Sequence, residues 1–122
     1  MANSLNTQVT LTSHAISFLS SIAGNYGQVL VGDQAFEFFN DKNVEDFIQI
    51  PWTEVRYVEG QVLFGKIGRQ FVFHTSAGRF RFASKDAGQI LKVVRQQLGN
   101  DKVVKAASFW STIRKPFRKK KK

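Results

Sequence analysis

No cysteine occurs anywhere in the 122 residues. Neither a disulfide framework nor thiolate chemistry is therefore available, a composition that suits a reducing compartment. Long apolar runs are missing as well. The N-terminus lacks the basic stretch and apolar core of a secretory signal, and its most apolar part, residues 15–23, is broken by Ser17, Ser20 and Ser21. No segment reaches the roughly 20 apolar residues needed to span a membrane. Acidic residues are nearly absent from one end: residues 101–122 carry nine Lys and Arg against Asp101 alone, a net charge of +8, whereas residues 1–100 carry nine cations against eight acids. Seven of those cations lie in the last nine positions: Arg114, Lys115, Arg118, Lys119, Lys120, Lys121 and Lys122. A near-neutral body with such a tail draws polyanions, whether anionic lipid, nucleic acid or an acidic protein face.

What is present in unusual amount is phenylalanine, twelve residues against one Met and two Trp. Aromatic and β-branched residues fit half-buried pleated surfaces, so the composition leans towards sheet. Apolar alternation with turn punctuation recurs through residues 28–83. Residues 29–31 lead into a turn at Gly32-Asp33, followed by 35–39; Asn40-Asp41-Lys42-Asn43 forms a loop. Residues 47–50 make a strand ending at Pro51, and 55–58 and 62–64 flank Glu59-Gly60, which is expected to be a tight reversal. The clearest hairpin joins 70–75 to 79–83. Period two sets Phe71, Phe73, Phe80 and Phe82 on one face and Val72, His74, Arg79 and Arg81 on the other. At Ser84 the period changes. Ser84 is expected as N-cap, with Asp86 in the first turn, followed by Ala87, Ile90, Leu91, Val94 and Leu98 at helical spacing and a stop at Gly99.

About seven short strands and one amphipathic helix cannot bury each other as a flat layer. The expected fold is mainly β with one or two α-helices, a pleckstrin-homology (PH) or GRAM-like, partly closed antiparallel barrel capped by the C-terminal amphipathic helix. Residues 1–99 form that barrel with its helix. Residues 100–122 are expected to be an amphipathic helix over 102–114, then a polybasic strip, because the helix must end before Pro116. At 100° per residue Val103, Ala106, Ala107, Phe109, Trp110 and Ile113 share one arc, opposite Lys105, Ser108, Thr112 and Lys115.

Four segments resemble a bacterial family sometimes called ManO: Tyr-Gly-Gln-Val-Leu-Val-Gly-Asp-Gln-Ala-Phe-Glu-Phe at 26–38, Asn-Val-Glu-Asp-Phe-Ile-Gln-Ile-Pro-Trp at 43–52, Arg-Phe-Arg-Phe-Ala-Ser-Lys at 79–85, and Ser108-Phe109-Trp110 with the basic tail. Genes of that family tend to lie beside those for mannose-class permeases of the sugar phosphotransferase system, mostly in Gram-positive bacteria. The family is grouped with PH/GRAM-like folds. The resemblance implies association with, or regulation of, such a membrane transporter. It carries no catalytic residue set.

The residues themselves lack catalytic patterns. His14 and His74 are far apart and without metal-ligand spacing; Gly24-Asn25-Tyr26-Gly27 is a turn, not a phosphate loop; and Asp41, Glu45 and Asp46 are loop acids too few for calcium. His74 is expected to be a solvated strand residue. No enzyme, cofactor or metal is expected. Lys66, Arg69, Arg79 and Arg81 are a candidate basic strand patch for a phosphorylated headgroup or acidic peptide, weighed against the use of charge to guard exposed strands. The strongest candidate surface is Phe109, Trp110, Ile113, Arg114, Lys115, Phe117, Arg118 and the four terminal lysines. Aromatic insertion of about 1–3 kcal/mol per buried ring there adds to about 1 kcal/mol per cation near an anionic leaflet. The expectation is a cytoplasmic protein, peripheral to the inner face of the cell membrane, whose partners are anionic lipid and mannose-family permease subunits. The alternative is a nucleic-acid-binding regulator of a sugar-uptake operon using the basic tail, although no helix-turn-helix or RNA-binding aromatic signature is legible.

Overall fold

The computed structural model describes residues 4–18, 24–43 and 45–105. Strands β1 (Val9–Ser17), β2 (Asn25–Gly32), β3 (Ala35–Asn40), β4 (Phe47–Pro51), β5 (Val55–Leu63), β6 (Lys66–Thr75) and β7 (Gly78–Ala83) precede helix α1 (Ala87–Leu98) and a last strand, β8 (Val103–Lys105). Single 3-10 turns occupy Trp52–Glu54 and Asn100–Lys102. All eight strands belong to one sheet in the order β4-β3-β2-β1-β7-β6-β5-β8, antiparallel except for the parallel pair β5 and β8. Two meanders, β1 to β4 and β5 to β7, are stitched together by a short seam at Ile16↔Ala83 and Ser17↔Phe82. β4 and β8 are unjoined edges, so the sheet is open where a partly closed barrel was expected.

The sheet is nevertheless strongly curved. β3 and β6 stand four places apart in the strand order, which would separate them by about 19 Å in a flat sheet. Yet the Phe36 and Phe73 rings lie 4.4 Å apart between centroids, and Phe36 also meets Phe82 at 5.0 Å and Phe71 at 6.1 Å. The period-two face read from the second hairpin is this core: Phe71 pairs with Phe82 and Phe73 with Phe80, three of the four fully buried and Phe80 packed against them. Helix α1 lays Ala87, Ile90, Leu91 and Val94 into the same core, as its spacing requires, and stops at Gly99.

Four sequence expectations are corrected. The first strand, β1, lies outside the stretch where alternation is visible, because its inward positions are Ser13, Ala15 and Ser17. Those side chains are small where α1 begins: the Ser13 hydroxyl donates to Asp86 at 2.8 Å. The reversal expected at Glu59-Gly60 lies instead at Phe64-Gly65, where Leu63 pairs with Lys66 and both turn residues have positive φ, 52° and 81°. Gly60 has a packing role: a Cβ there would stand 2.7 Å from Leu91 Cδ1, so the missing side chain lets the helix approach the sheet. Ser84 is not the N-cap. It is buried, its hydroxyl donates to the His14 carbonyl at 2.7 Å, and Asp86 occupies the cap position. Finally, Val103–Lys105 is a strand, not the first turn of a helix. β-branched Val103 and Val104 take the open edge of β5, Val103 facing the core, so the sheet extends past residue 99.

Candidate functional site

Charge is distributed unevenly over the body. From Gly60 to Lys85 the chain contains no acid and five cations, Lys66, Arg69, Arg79, Arg81 and Lys85; the other residues of the first hundred hold four cations and eight acids. The near-neutral sum over residues 1–100 therefore conceals a basic β6–β7 hairpin set against a more acidic remainder, a signal available by counting in windows rather than over the whole body.

The proposed strand patch does not form one cluster. Arg79 and Arg81 stay together on the outer face, opposite His74 and Val72 on β6. Arg81 lies over the Phe18 ring at 4.6 Å and donates to Gln70 at 3.3 Å. With Phe18 and Val72 the two arginines line a shallow cavity of about 380 Å³. Arg69 borders a different cavity, of about 370 Å³, with His14, Tyr26, Asp41 and Lys85 among its walls. Lys66 sits at the far tip, the first residue after the β5–β6 turn. For Lys66 the reason is length: its partner Leu63 and the partner of His74, Tyr57, stand six positions apart on β5, about 20 Å at 3.3 Å per residue.

His74 is not the solvated residue expected. Tyr57 stacks on its ring at 4.2 Å and 13°, and its Nε2 lies 2.6 Å from Glu59 Oε1, leaving the side chain 14% exposed. Across the outer face this trio stands between the arginines of β7 and the edge strand β8. The loop acids are tied into local turns. Asn40 donates to Asp46 at 3.1 Å, and Asn43 accepts from the Glu45 amide at 3.0 Å. Among the described residues no three potential metal ligands gather.

Two polar features escaped sequence reasoning. Glu37, on β3 between Phe36 and Phe38, is fully buried. It accepts from the Ser4 hydroxyl at 2.6 Å, the Leu5 amide at 2.7 Å, Asn6 Nδ2 at 3.1 Å and Gln49 Nε2 at 2.8 Å. The segment before β1 thus straps across β3. Asp33 anchors the same strap, accepting from the Thr7 hydroxyl and the amides of Thr7 and Gln8. The Thr7 hydroxyl, then the Gln8 amide, holds its carboxyl down at about 2.

Among the described residues the most exposed large apolar side chain is Phe64, 90% accessible at the β5–β6 turn, with Ile67 close by at 51%. The alternation of 62–64 places Phe64 at the end of a strand, and the structure places it in the turn. Phe109, Trp110, Ile113, Arg114, Lys115, Phe117, Arg118 and Lys119 to Lys122 all lie outside the described residues. The chain leaves the described structure at Lys105, which pairs with Gly60 at the sheet edge. No described helix is long and apolar enough to cross a membrane.

The architecture recurs in solved structures. The C-terminal domain of an unknown protein from Leishmania infantum matches at a TM-score of 0.65 and 8% identity, over 76% of this chain and 85% of that one. The hSac2 domain from the human phosphoinositide phosphatase Sac2 matches at 0.55 and 13% identity, over 81% and 78%. At such identities the likeness defines the class, an open, mainly β sheet with one helix, and nothing of activity. No curated protein matches the chain. By sequence the chain belongs to the family described as a domain of unknown function (DUF956), whose model matches residues 1–117.

Proposed function

We propose that this chain is a non-catalytic, PH/GRAM-like module that works at the inner surface of the cell membrane, where it binds and tunes a mannose-family phosphotransferase permease. The observation that carries the membrane part is the charge partition. A net +8 is concentrated in residues 101–122, and Lys105 lies on the sheet edge, one strand removed from the β6–β7 hairpin with its four cations and no acid. Cations near an anionic leaflet contribute about 1 kcal/mol each, with diminishing returns, so seven in nine positions supply several. Holding the module in two dimensions raises the occupancy of even a weak contact with a transporter. The permease as partner follows from the resemblance to the ManO-type family.

The test is a truncation after Lys105, which keeps β8 and its contact with β5. The full chain is expected to sediment with vesicles containing phosphatidylglycerol and to release them as salt rises; the truncated chain stays in solution with an unchanged circular dichroism spectrum. Truncated protein that sediments as well as the full chain overturns the role of the tail. Tighter, sequence-dependent binding to duplex DNA than to vesicles at matched salt favours the operon-regulator alternative.

A further inference from the structure

The β5–β6 turn has two residues, Phe64 and Gly65, both at positive φ. This is the geometry that suits the twist of a hairpin and that Asn-Gly or Asp-Gly adopts with ease. A phenylalanine at φ 52° is an outlier: its Cβ crowds the backbone, and the conformation is costly for a bulky side chain. Nothing packs around it in return, since the ring is 90% accessible. A position that favours a small polar residue thus carries a large apolar one, projected into solvent at the end of two long strands.

The sequence around the turn has one sign: no acid occurs from Gly60 to Lys85, and Lys66 follows the turn at once, with Ile67 half exposed next to it. The topology adds a second, independent observation. β8 runs parallel to β5, with Val58↔Val103 and Gly60↔Lys105 in register. β5 continues from Gly60 towards Phe64, so β8 points towards the same end of the sheet, with Lys105 about 13 Å short of the turn at 3.3 Å per residue.

We infer that the Phe64 hairpin tip is a lipid-inserting element. It buries Phe64 and Ile67 at the headgroup boundary of an anionic membrane, with Lys66 against the phosphates. This rests on the membrane reading above and deepens it by naming the part of the folded body that enters the bilayer and hence its orientation. An aromatic ring with a neighbouring cation is the pairing that interfacial segments use, apolar insertion and electrostatic attraction each being too weak alone. The opposite end of β6, at the β6–β7 turn, is then held away from lipid by about 30 Å of strand.

The full chain tests this cleanly because it has no cysteine. Ile67→Cys carries an environment-sensitive fluorophore at the tip, and Ala77→Cys carries it at the β6–β7 turn as control. Both are titrated with phosphatidylglycerol–phosphatidylcholine vesicles while sedimentation reports total binding. A blue shift at 67 and none at 77 is expected. Phe64→Gly, which relieves the backbone and keeps the fold, is expected to lower partitioning about tenfold through lost ring burial, with thermal stability no lower than in the parent. If the parent sediments with vesicles, yet the label at 67 stays in water and Phe64→Gly binds as well as the parent, the tip inference fails while the membrane reading stands. If the full chain does not sediment at all, the membrane reading fails and the inference with it.

Discussion

Replacing Glu37 by glutamine tests whether the N-terminal strap is held by a buried carboxylate acting as an acceptor on both oxygens. The Ser4 hydroxyl and Asn6 Nδ2 donate to Oε1, and the Leu5 amide and Gln49 Nε2 donate to Oε2. A glutamine in the same rotamer keeps one acceptor oxygen and turns an NH₂ towards two donors. Either way round the charge on the acceptor is lost, and at least one obligate donor, the Leu5 amide or Asn6 Nδ2, faces another donor. Bonds to charged acceptors contribute about 1.5–3 kcal/mol each. Water reaching the partly exposed strap recovers a share, so the net destabilisation is expected to be about 3 kcal/mol. That is a large fraction of the roughly 5–15 kcal/mol that holds a domain together. Urea unfolding followed by circular dichroism measures the total. Hydrogen exchange at the Leu5 amide measures the local part, which should accelerate on release of the strap. If Glu37→Gln unfolds at the parental urea midpoint with Leu5 exchange unchanged, the carboxylate does not secure the strap and the reasoning is wrong.

The other anchor of the strap makes a pH prediction. Asp33 has its pKa depressed to about 2 by the Thr7 hydroxyl and the Gln8 amide. Its stabilising contribution is fully present above the ordinary carboxylate value and is lost as pH falls through about 2. Thr7→Val is expected to move the Asp33 carboxyl titration upwards, towards the ordinary value, as read by carbon-detected NMR. Two glycine substitutions are expected to have opposite signs. A Cβ at Gly27 would stand 2.3 Å from the Phe39 carbonyl and 2.6 Å from Phe38 Cζ, so Gly27→Ala is expected to cost about 2–3 kcal/mol by overpacking. Gly88 lies in α1 with nothing within 4 Å of its would-be Cβ. Gly88→Ala is therefore expected to stabilise by about 0.5–1 kcal/mol through helix propensity. Thermal melts of the two variants check both signs.

The second hairpin and the helix were legible because their signals are local. Phe71, Phe73, Phe80 and Phe82 alternate at the strand period, and Ala87, Ile90, Leu91 and Val94 follow the helical one, so neither needs knowledge of its neighbours. β1 was not legible, since Ser13, Ala15 and Ser17 face a crowded corner where only small side chains fit, and small residues leave no apolar alternation. Gly60 and Gly65 show the same limit from another side. Both invite a turn, and only the position of Leu91 across the core separates a packing glycine from a turning one. Val103 falls on the amphipathic arc of a helix as readily as on a strand; the unpaired edge of β5 decides for strand.

The candidate site divides the same way. Composition alone set the polybasic end, the absence of cysteine chemistry and the aromatic excess, because these are sums that no fold can alter. The spread of Lys66, Arg69 and the Arg79–Arg81 pair into separate places, the burial of Glu37 and the packing of His74 between Tyr57 and Glu59 were decided by register and curvature. Those bring together residues remote in the chain. The exposure of Phe64 belongs with them: a phenylalanine reads as core in any one-dimensional pattern, and only the turn that carries it past the end of the sheet leaves it in water.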